Sequence, residues 1–474
     1  MKNLFSDTIV APATTPGTGA ISIVRLSGSD ALSIADATIQ LKHGTISSAK
    51  AYEIKFGSIY SDGKLLDEVL VAVFHAPHSY TGEDAVEVYT HASAYIVQEV
   101  VRLLLKAGAR LAQPGEFTRR AFLNGKMDLA QAEAVADLIA SSTAASHRVA
   151  MHQLKGGFSK ELAQLRRELM EMASLLELEL DFSEEEVEFA DRKKLLSLLE
   201  AAKAHIDSLA ASFHRGNMIK HGVPVAIVGP ANAGKSTLLN ALLGEDRAIV
   251  TEIPGTTRDT LEETLNLDGI LFRFIDTAGI RESQDTVERL GIERSLKCLS
   301  QAEIVLLMLD ASAPESVLKE ELVSIVSHVD FSFQKLFILL NKADIWSQKG
   351  DNKNVTIVNN IVTSLGFQSV IIPISAKTET GVEELKKALF EAEKDLIPNA
   401  ESTFVTNERH YEALTNASSA LADCRTSLAQ GIPSDLVAED LRRALSSINT
   451  ILGTDLLNPE DILQNIFRNH CIGK

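Results

Sequence analysis

The sequence predicts a multidomain chain of α/β plus α class. It expects an N-terminal α/β domain, a central helical domain made from two flanking segments, and an inserted α/β domain with a mainly parallel sheet. Three observations carry this. Residues 223–390 alternate apolar runs, loops and helical stretches, the rhythm of a parallel sheet covered by helices on both faces. The stretches on either side, Ala130 to about Phe213 and about Asn407 to Ile466, place apolar residues at helical spacing among good helix formers. The residues before them form a series of short β-rich runs. At roughly 150 residues per domain, 474 residues predict about three domains.

In chain order, IVAPAT, AISIVRL, EIKFGSI, EVLVAVF and AVEVYTH read as strands, punctuated at Pro16-Gly17 and Pro77. Tyr95 to Ala107 reads as an amphipathic helix. LAQAEAVADLIASS and ELAQLRRELMEMASLLELEL read as helices, interrupted by Gly156-Gly157 and the acidic stretch Ser183 to Glu188. VPVAIVG, LFRFID, EIVLLMLD, KLFILLN and VIIPIS supply the strands of the inserted domain. Neither helical flank can bury its apolar face alone, so the two are expected to pack together around the insertion. The expected boundaries are 1–119, 120–217, 218–384 and 385–474, the second and fourth being the two parts of one helical domain.

Composition excludes several classes. No apolar run approaches the roughly 20 residues that span a bilayer. The N-terminus MKNLFSDTIV lacks the apolar core and small-residue cleavage site of a signal peptide, so a cytoplasmic protein with no membrane role is expected. Cys298, Cys424 and Cys471 form no C-x-x-C pair or Cys/His cluster, which argues against structural zinc and a disulfide framework. The formal net charge of −18 argues against a standalone nucleic-acid binder, because phosphate neutralisation calls for basic surface.

The chemistry sits in four ordered motifs, read as lying on four successive strand ends. Gly229-Pro-Ala-Asn-Ala-Gly234-Lys235-Ser236 matches G-x-x-x-x-G-K-[ST], follows the apolar run Val225 to Val228 and opens a helix. Its glycines let the backbone wrap phosphates with N–H groups pointing inward. Lys235 supplies charge to the β- and γ-phosphates, and the Ser236 hydroxyl can ligate Mg²⁺. Asn232, Ala233, Gly234, Lys235, Ser236 and Thr237 are the candidate phosphate contacts. Asp276-Thr277-Ala278-Gly279 ends the run Leu271 to Ile275, where Asp276 suits a magnesium ion and the Gly279 N–H a γ-phosphate. Asn341-Lys342-Ala343-Asp344 selects the base: a carboxylate at Asp344 accepts from both N1–H and the N2 amino group of guanine, a donor pair adenine lacks. Lys342 can lay its stem over the base. Ser375-Ala376-Lys377 would offer the Ala376 N–H to the guanine O6. The inserted domain is therefore read as a P-loop GTPase domain.

Many GTPases place Gln directly after D-x-x-G to orient the attacking water. Here the residue is Ile280, so water must be held otherwise or hydrolysis must be slow; Glu282, Asp285 and Glu288 lie just downstream. Thr251, Glu252, Ile253, Pro254, Gly255, Thr256 and Thr257 occupy the place of a switch loop, with Thr257 a second hydroxyl for Mg²⁺. Asn232, a threonine hydroxyl and backbone carbonyls would suit a monovalent cation between β- and γ-phosphates, replacing the charge of an arginine finger.

At these residues the chain strongly resembles the bacterial tRNA-modification GTPases known as MnmE or TrmE. The resemblance runs through DTIVAPAT, PGEFTRRAFLNGKMDLAQAEAVADLI, GPANAGKSTLLNALL, EIPGTTRD, DTAGIRE and the terminal CIGK. It implies an N-terminal folate-binding, dimer-forming domain and GTP, Mg²⁺, K⁺ and 5-formyl-tetrahydrofolate or a related tetrahydrofolate as cofactors. It implies Asn232, Thr251, Ile253 and Thr256 as potassium positions, Ser236 and Thr257 as magnesium ligands, and Glu288 as the acid that orients water. Arg25, Glu87, Lys126 and Lys474 match folate-contacting positions, and Cys471 lies near that site. One departure is visible: the family's usual Gly-His is Thr90-His91 here, and His91 is expected to be structural. The implied function adds a carboxymethylaminomethyl-type group to C5 of the wobble uridine of certain tRNAs. A homodimer is expected to act with an FAD-dependent partner in a heterotetramer or larger complex, sharing the tRNA, with G domains dimerising across the nucleotide. Two other readings stand beside it: a ribosome-assembly or RNA-binding GTPase switch without modification chemistry, and a folate-binding scaffold whose G domain only senses nucleotide.

Overall fold

The structure, a computed structural model, describes residues 7–181, 192–244, 262–275, 298–346, 353–399, 402–454 and 473. The chain forms two compact units. The first comprises Met1–Ile139, Met151–Ile206 and Ala413–Lys474; the second, Ala140–Ala150 and Asp207–Glu412, interrupts it in sequence. Among the described residues, no helix is long and apolar enough to cross a membrane.

The first unit carries a seven-stranded sheet: β1 (Ile9–Pro12), β2 (Ile21–Ser27), β3 (Ile39–Leu41), β4 (Ile54–Ser61), β5 (Lys64–Phe74), β6 (Ala85–His91) and β7 (Arg110–Leu111). The order is β3-β4-β5-β6-β2-β1-β7, antiparallel except for the β1–β7 pair. Side chains alternate across a pleated strand, so one face collects Val24, Leu26, Val69, Val71, Val86 and Val88 against the helices Ala31–Thr38 and Ala94–Lys106. The latter helix matches the amphipathic stretch read from sequence. The other face keeps Ile54, Phe56 and Leu70 exposed. Register continues that face onto Tyr89, Glu87 and Arg25.

Behind this sheet the helix Glu116–Leu123 turns Arg120 wholly inward, at 0% exposure. Arg120 bonds Asp7 at 2.7 Å, and Glu83 and Glu116 at 3.2 Å each. Arg110 meets the same Glu116 at 2.6 Å. Burying such charge is tolerable only when it is paired, and three carboxylates pair it here, so the cluster fixes the start of β1, the Glu83 turn and this helix in one arrangement. His91 takes a structural place: its Nδ1 lies 2.7 Å from the buried Asp67 carboxylate, which also accepts the His91 N–H.

The two helical flanks do meet. Within the first unit the helix Gly157–Asp181 turns Leu162, Leu165, Leu169, Met172 and Leu176 inward, and Ser434–Leu452 buries Val437, Leu441, Ala444 and Ile448. The two pack along each other, and Arg166 Nε donates to Asn449 Oδ1 at 2.7 Å. Cys424 is buried, and burial pushes its thiol up to about 12.

The second unit holds β8 (Val223–Val228), β9 (Glu263–Leu267), β10 (Ile270–Phe274), β11 (Ile304–Asp310), β12 (Lys335–Asn341) and β13 (Val370–Pro373), in the order β13-β12-β11-β8-β10-β9. All neighbours are parallel except β9, which runs antiparallel to β10 at the edge. Leu306, Met308 and Leu339 face the helices Lys235–Leu243 and Val382–Glu393; Val305, Leu307 and Leu340 face Glu315–Val326 and Lys353–Leu365. Burial on both faces explains the unbroken apolar runs in these strands. From β8 the chain goes first to β9 and β10 on one side, then to β11, β12 and β13 on the other. The crevice at such a switch point, beyond the C-terminal end of β8, is where open α/β sheets bind ligands.

Candidate nucleotide site

The loop at that switch point is built by glycine geometry. Gly229 and Gly234 have φ of +148° and +96°. A Cβ on Gly229 would stand 2.3 Å from the Met308 carbonyl oxygen, and one on Gly234 2.4 Å from Asn341 Nδ2. Gly234 is also the N-cap of the helix Lys235–Leu243 and contributes no side-chain cap. The first-turn N–H groups of that helix are thus left for an anion, aided by the positive end of the helix dipole. Lys235 arches back over the loop, its Nζ donating to the Gly229 and Pro230 carbonyls at 2.8 Å each. Burial lowers its pKa below the ordinary lysine value. Ser236 is half-buried in the first helical turn, while Asn232 and Thr237 are exposed. Asn232 takes φ +63°, a left-handed conformation asparagine tolerates better than most residues.

Asn341 joins three motifs. It ends β12 at 5% exposure; its Nδ2 donates to the Ala233 carbonyl at 2.6 Å, and its Oδ1 accepts the Ala376 N–H at 3.0 Å. The N–H expected to serve guanine O6 is donated to Asn341 in this structure, which gives a buried amide donor a buried acceptor. Ser375 Oγ donates to Asp344 Oδ1 at 2.8 Å and turns the carboxylate toward the same crevice edge. Lys377 is exposed. The motifs are also not on successive strands. Between β10 and β12 stands β11, which ends in Asp310, and Lys342 Nζ lies 2.5 Å from Asp310 Oδ2. Sequence reading missed Asp310 and its neighbour Ser312. The visible signal was a carboxylate closing the apolar run Ile304–Leu309, at the strand position matching Asn341.

Several predicted site residues lie outside the described residues: Thr251, Glu252, Ile253, Pro254, Gly255, Thr256, Thr257, Asp276, Thr277, Ala278, Gly279, Ile280, Glu282, Asp285, Glu288, Cys471 and Lys474.

In the first unit, Arg25 and Glu87 face each other across β2 and β6, with Arg25 Nε and Nη2 at 2.9 and 2.8 Å from Glu87 Oε1. Arg25 Nη1 donates to the Gly473 carbonyl at 3.2 Å, one residue before Lys474. The guanidinium carbon lies 5.6 Å from the Tyr80 ring centre and 5.7 Å from that of Phe117. Tyr89 donates to the other Glu87 oxygen at 3.0 Å. Lys126 bonds the Pro77 carbonyl at 3.0 Å, on the loop that carries Tyr80. Arg25 and Glu87, two of the four residues expected to contact folate, are thus directly paired, with the Tyr80 and Phe117 rings beside Arg25.

A glycine-shaped phosphate loop at the switch strand, with an Asn-Lys-Ala-Asp strand end and a Ser-Ala-Lys turn tied to it, defines a guanine-nucleotide-binding P-loop protein, the class of the GTPases. Residues 8–126 match the family described as GTP-binding protein TrmE N-terminus, and residues 129–471 the MnmE helical domain. The chain is 50% identical over 470 residues to the tRNA modification GTPase MnmE of Bacteroides thetaiotaomicron, covering 99% of both chains. It is 47% identical over 472 residues to that of Flavobacterium johnsoniae, again covering 99% of both. The chain belongs to the MnmE family of tRNA modification GTPases. Among solved structures it is similar to the FeoB G-domain from Methanococcus jannaschii, at 28% identity over 36% of this chain and 97% of that one, with a TM-score of 0.26.

Proposed function

We propose that this GTPase couples GTP turnover to modification of the wobble uridine of certain tRNAs, adding a carboxymethylaminomethyl-type group at C5 with a folate as one-carbon donor. The observation that carries the nucleotide half is the convergence of Lys235, Asn341 and Asp344 on one crevice edge, each held by a named hydrogen bond. Lys235 binds the β- and γ-phosphates, and Asp344 orients guanine. Ser236 and Thr257 would hold magnesium, and Asn232, Thr251, Ile253 and Thr256 potassium; when bound, both ions supply positive charge beside the phosphates. The hard oxygen donors of Ser236 and Asn232 suit such ions. Glu288 orients water in place of the missing glutamine, probing the reaction from the segment after Asp276-Thr277-Ala278-Gly279. Residues 218–384 act as the inserted G domain, 120–217 with 385–474 as the helical domain, and 1–119 as the folate-binding and dimerising domain.

Folate recognition falls to Arg25, Glu87, Lys126 and Lys474, with Cys471 close by. The exposed apolar face of β4 and β5, continuous with Arg25 and Glu87, supports a homodimer through the N-terminal domain. An FAD-dependent partner supplies redox chemistry and, given the −18 charge of this chain, much of the tRNA-binding surface. GTP turnover measured in KCl and in NaCl tests the cation reading; higher turnover in KCl is expected, and equal rates would remove Asn232 from that role. Equilibrium dialysis with 5-formyl-tetrahydrofolate tests the other site, with binding lost in Arg25→Ala. Mass spectrometry of wobble-uridine nucleosides after gene deletion tests the reaction; an unchanged profile would favour the RNA-binding switch without modification chemistry.

A further inference from the structure

We propose that Asp310, at the end of β11, is a positioning residue of the guanine site: it holds Lys342 so that the lysine stem is ordered before the base arrives. The inference rests on the guanine reading of Lys342 and Asp344 and deepens it.

The carboxylate is divided between two tasks. Its Oδ2 receives Lys342 Nζ at 2.5 Å, while its Oδ1 accepts from Ser312 N–H at 2.9 Å and Ser312 Oγ at 2.6 Å. Rotating the carboxylate away from Lys342 would therefore also break the turn at Ser312. Burial alone would raise the Asp310 carboxyl, but the Lys342 ammonium and the Ser312 donors outweigh it and hold it below the usual aspartate range. The placement follows from the sheet. Asp310 pairs with Asn341 in the parallel β11–β12 register, and the Ala311 N–H donates to the Asn341 carbonyl at 3.1 Å. The next residue, Lys342, turns left-handed at φ +66°. Asn341, Lys342 and Asp344 are thereby each tied to a different neighbour: the phosphate loop at Ala233, β11 at Asp310, and the turn after β13 at Ser375.

A free lysine side chain surrenders rotamer freedom when it covers a ligand; one already tethered at its tip surrenders less, which strengthens binding without a new contact to the ligand. Asp310 touches no phosphate motif, so its effect belongs in nucleotide affinity and not in the hydrolytic step.

The test uses the full-length protein, N-methylanthraniloyl-GDP as the probe, and GTP turnover at saturating substrate. Asp310→Ala is expected to weaken GDP binding by up to roughly 30-fold, the order set by the rotamer freedom a lysine side chain gives up on ordering, with kcat unchanged. Asp310→Asn, which keeps the acceptor for Ser312 but not the charge, should show most of the same loss and guards against misfolding. In a Lys342→Ala background, Asp310→Ala should add nothing, because interacting residues are non-additive. An equal loss in both backgrounds, or unchanged affinity in Asp310→Asn and Asp310→Ala while Lys342→Ala weakens binding, overturns the proposal alone. Unchanged affinity in Lys342→Ala overturns the guanine reading of that lysine together with it.

Discussion

Replacing Asn341 by alanine should separate the structural core of the nucleotide site from its chemistry. The side chain is 5% exposed, and its two partners, the Ala233 carbonyl and the Ala376 N–H, belong to residues that are 1% and 3% exposed. Alanine satisfies neither partner. A buried backbone group stripped of its partner costs about 1–3 kcal/mol, so two such groups cost about 2–4 kcal/mol once some water entry is allowed. For a body of roughly 150–250 residues, 1 kcal/mol moves Tm by roughly 2–4 °C, giving an expected fall of roughly 4–16 °C. Differential scanning calorimetry on nucleotide-free protein reads this directly, with the transition of the second unit falling and that of the first unmoved. GDP affinity should fall with it, since the phosphate loop and the Ser-Ala-Lys turn lose their common anchor. A Tm within about 1 °C of the parent would refute the reasoning, because it would mean that neither backbone group depends on Asn341.

Gly234→Ala should abolish tight GDP binding, because its Cβ would meet Asn341 Nδ2 at 2.4 Å at a φ of +96°; titration with fluorescent GDP checks it. Arg120→Met should destabilise the first unit by about 3–5 kcal/mol by leaving Glu83 buried without its cation, while Glu116 keeps Arg110, measurable by urea unfolding. The same cluster predicts acid lability. Burial alone would raise the Glu116 and Asp7 carboxyls, but Arg110, Arg120 and, for Glu116, the Gln113 N–H outweigh it and hold both below their ordinary values of 4.5 and 3.8. Folded values below the unfolded ones mean that this stabilisation is fully present above the unfolded values and is lost as pH falls through the folded ones. The first unit's Tm should therefore hold steady through neutral pH and fall steeply on acidification below those values.

The inserted sheet was legible because β8, β11 and β12, buried on both faces, leave unbroken apolar runs, while β10 alternates buried and half-buried residues and β13 is a short edge strand that still falls on an apolar run. The edge strand β9 was missed for the same physical reason. Within ETLNL only Leu265 is buried, so the segment carries neither a run nor a clean alternation. The motif residues were legible because phosphate and guanine chemistry fix residue type and spacing. What sequence could not give was who holds them. Ser375 orienting Asp344, Asn341 taking the Ala376 N–H, and Asp310 gripping Lys342 all depend on register between strands distant in the chain. In the first unit Arg25 and Glu87 were found by family resemblance. Their pairing across β2 and β6, and the Tyr80 and Phe117 rings beside them, needed the folded sheet.

Base selection by Asp344 is the claim on which the nucleotide account turns, and Asp344→Asn tests it most directly. Xanthine carries an oxygen where guanine carries the N2 amino group, so an amide at position 344 can donate to it while losing the acceptor pair that guanine needs. Competition binding should show GDP affinity falling by roughly 100-fold or more and xanthosine diphosphate becoming the preferred ligand. If the variant still prefers GDP over xanthosine diphosphate, Asp344 does not read the base and the account of this site is wrong.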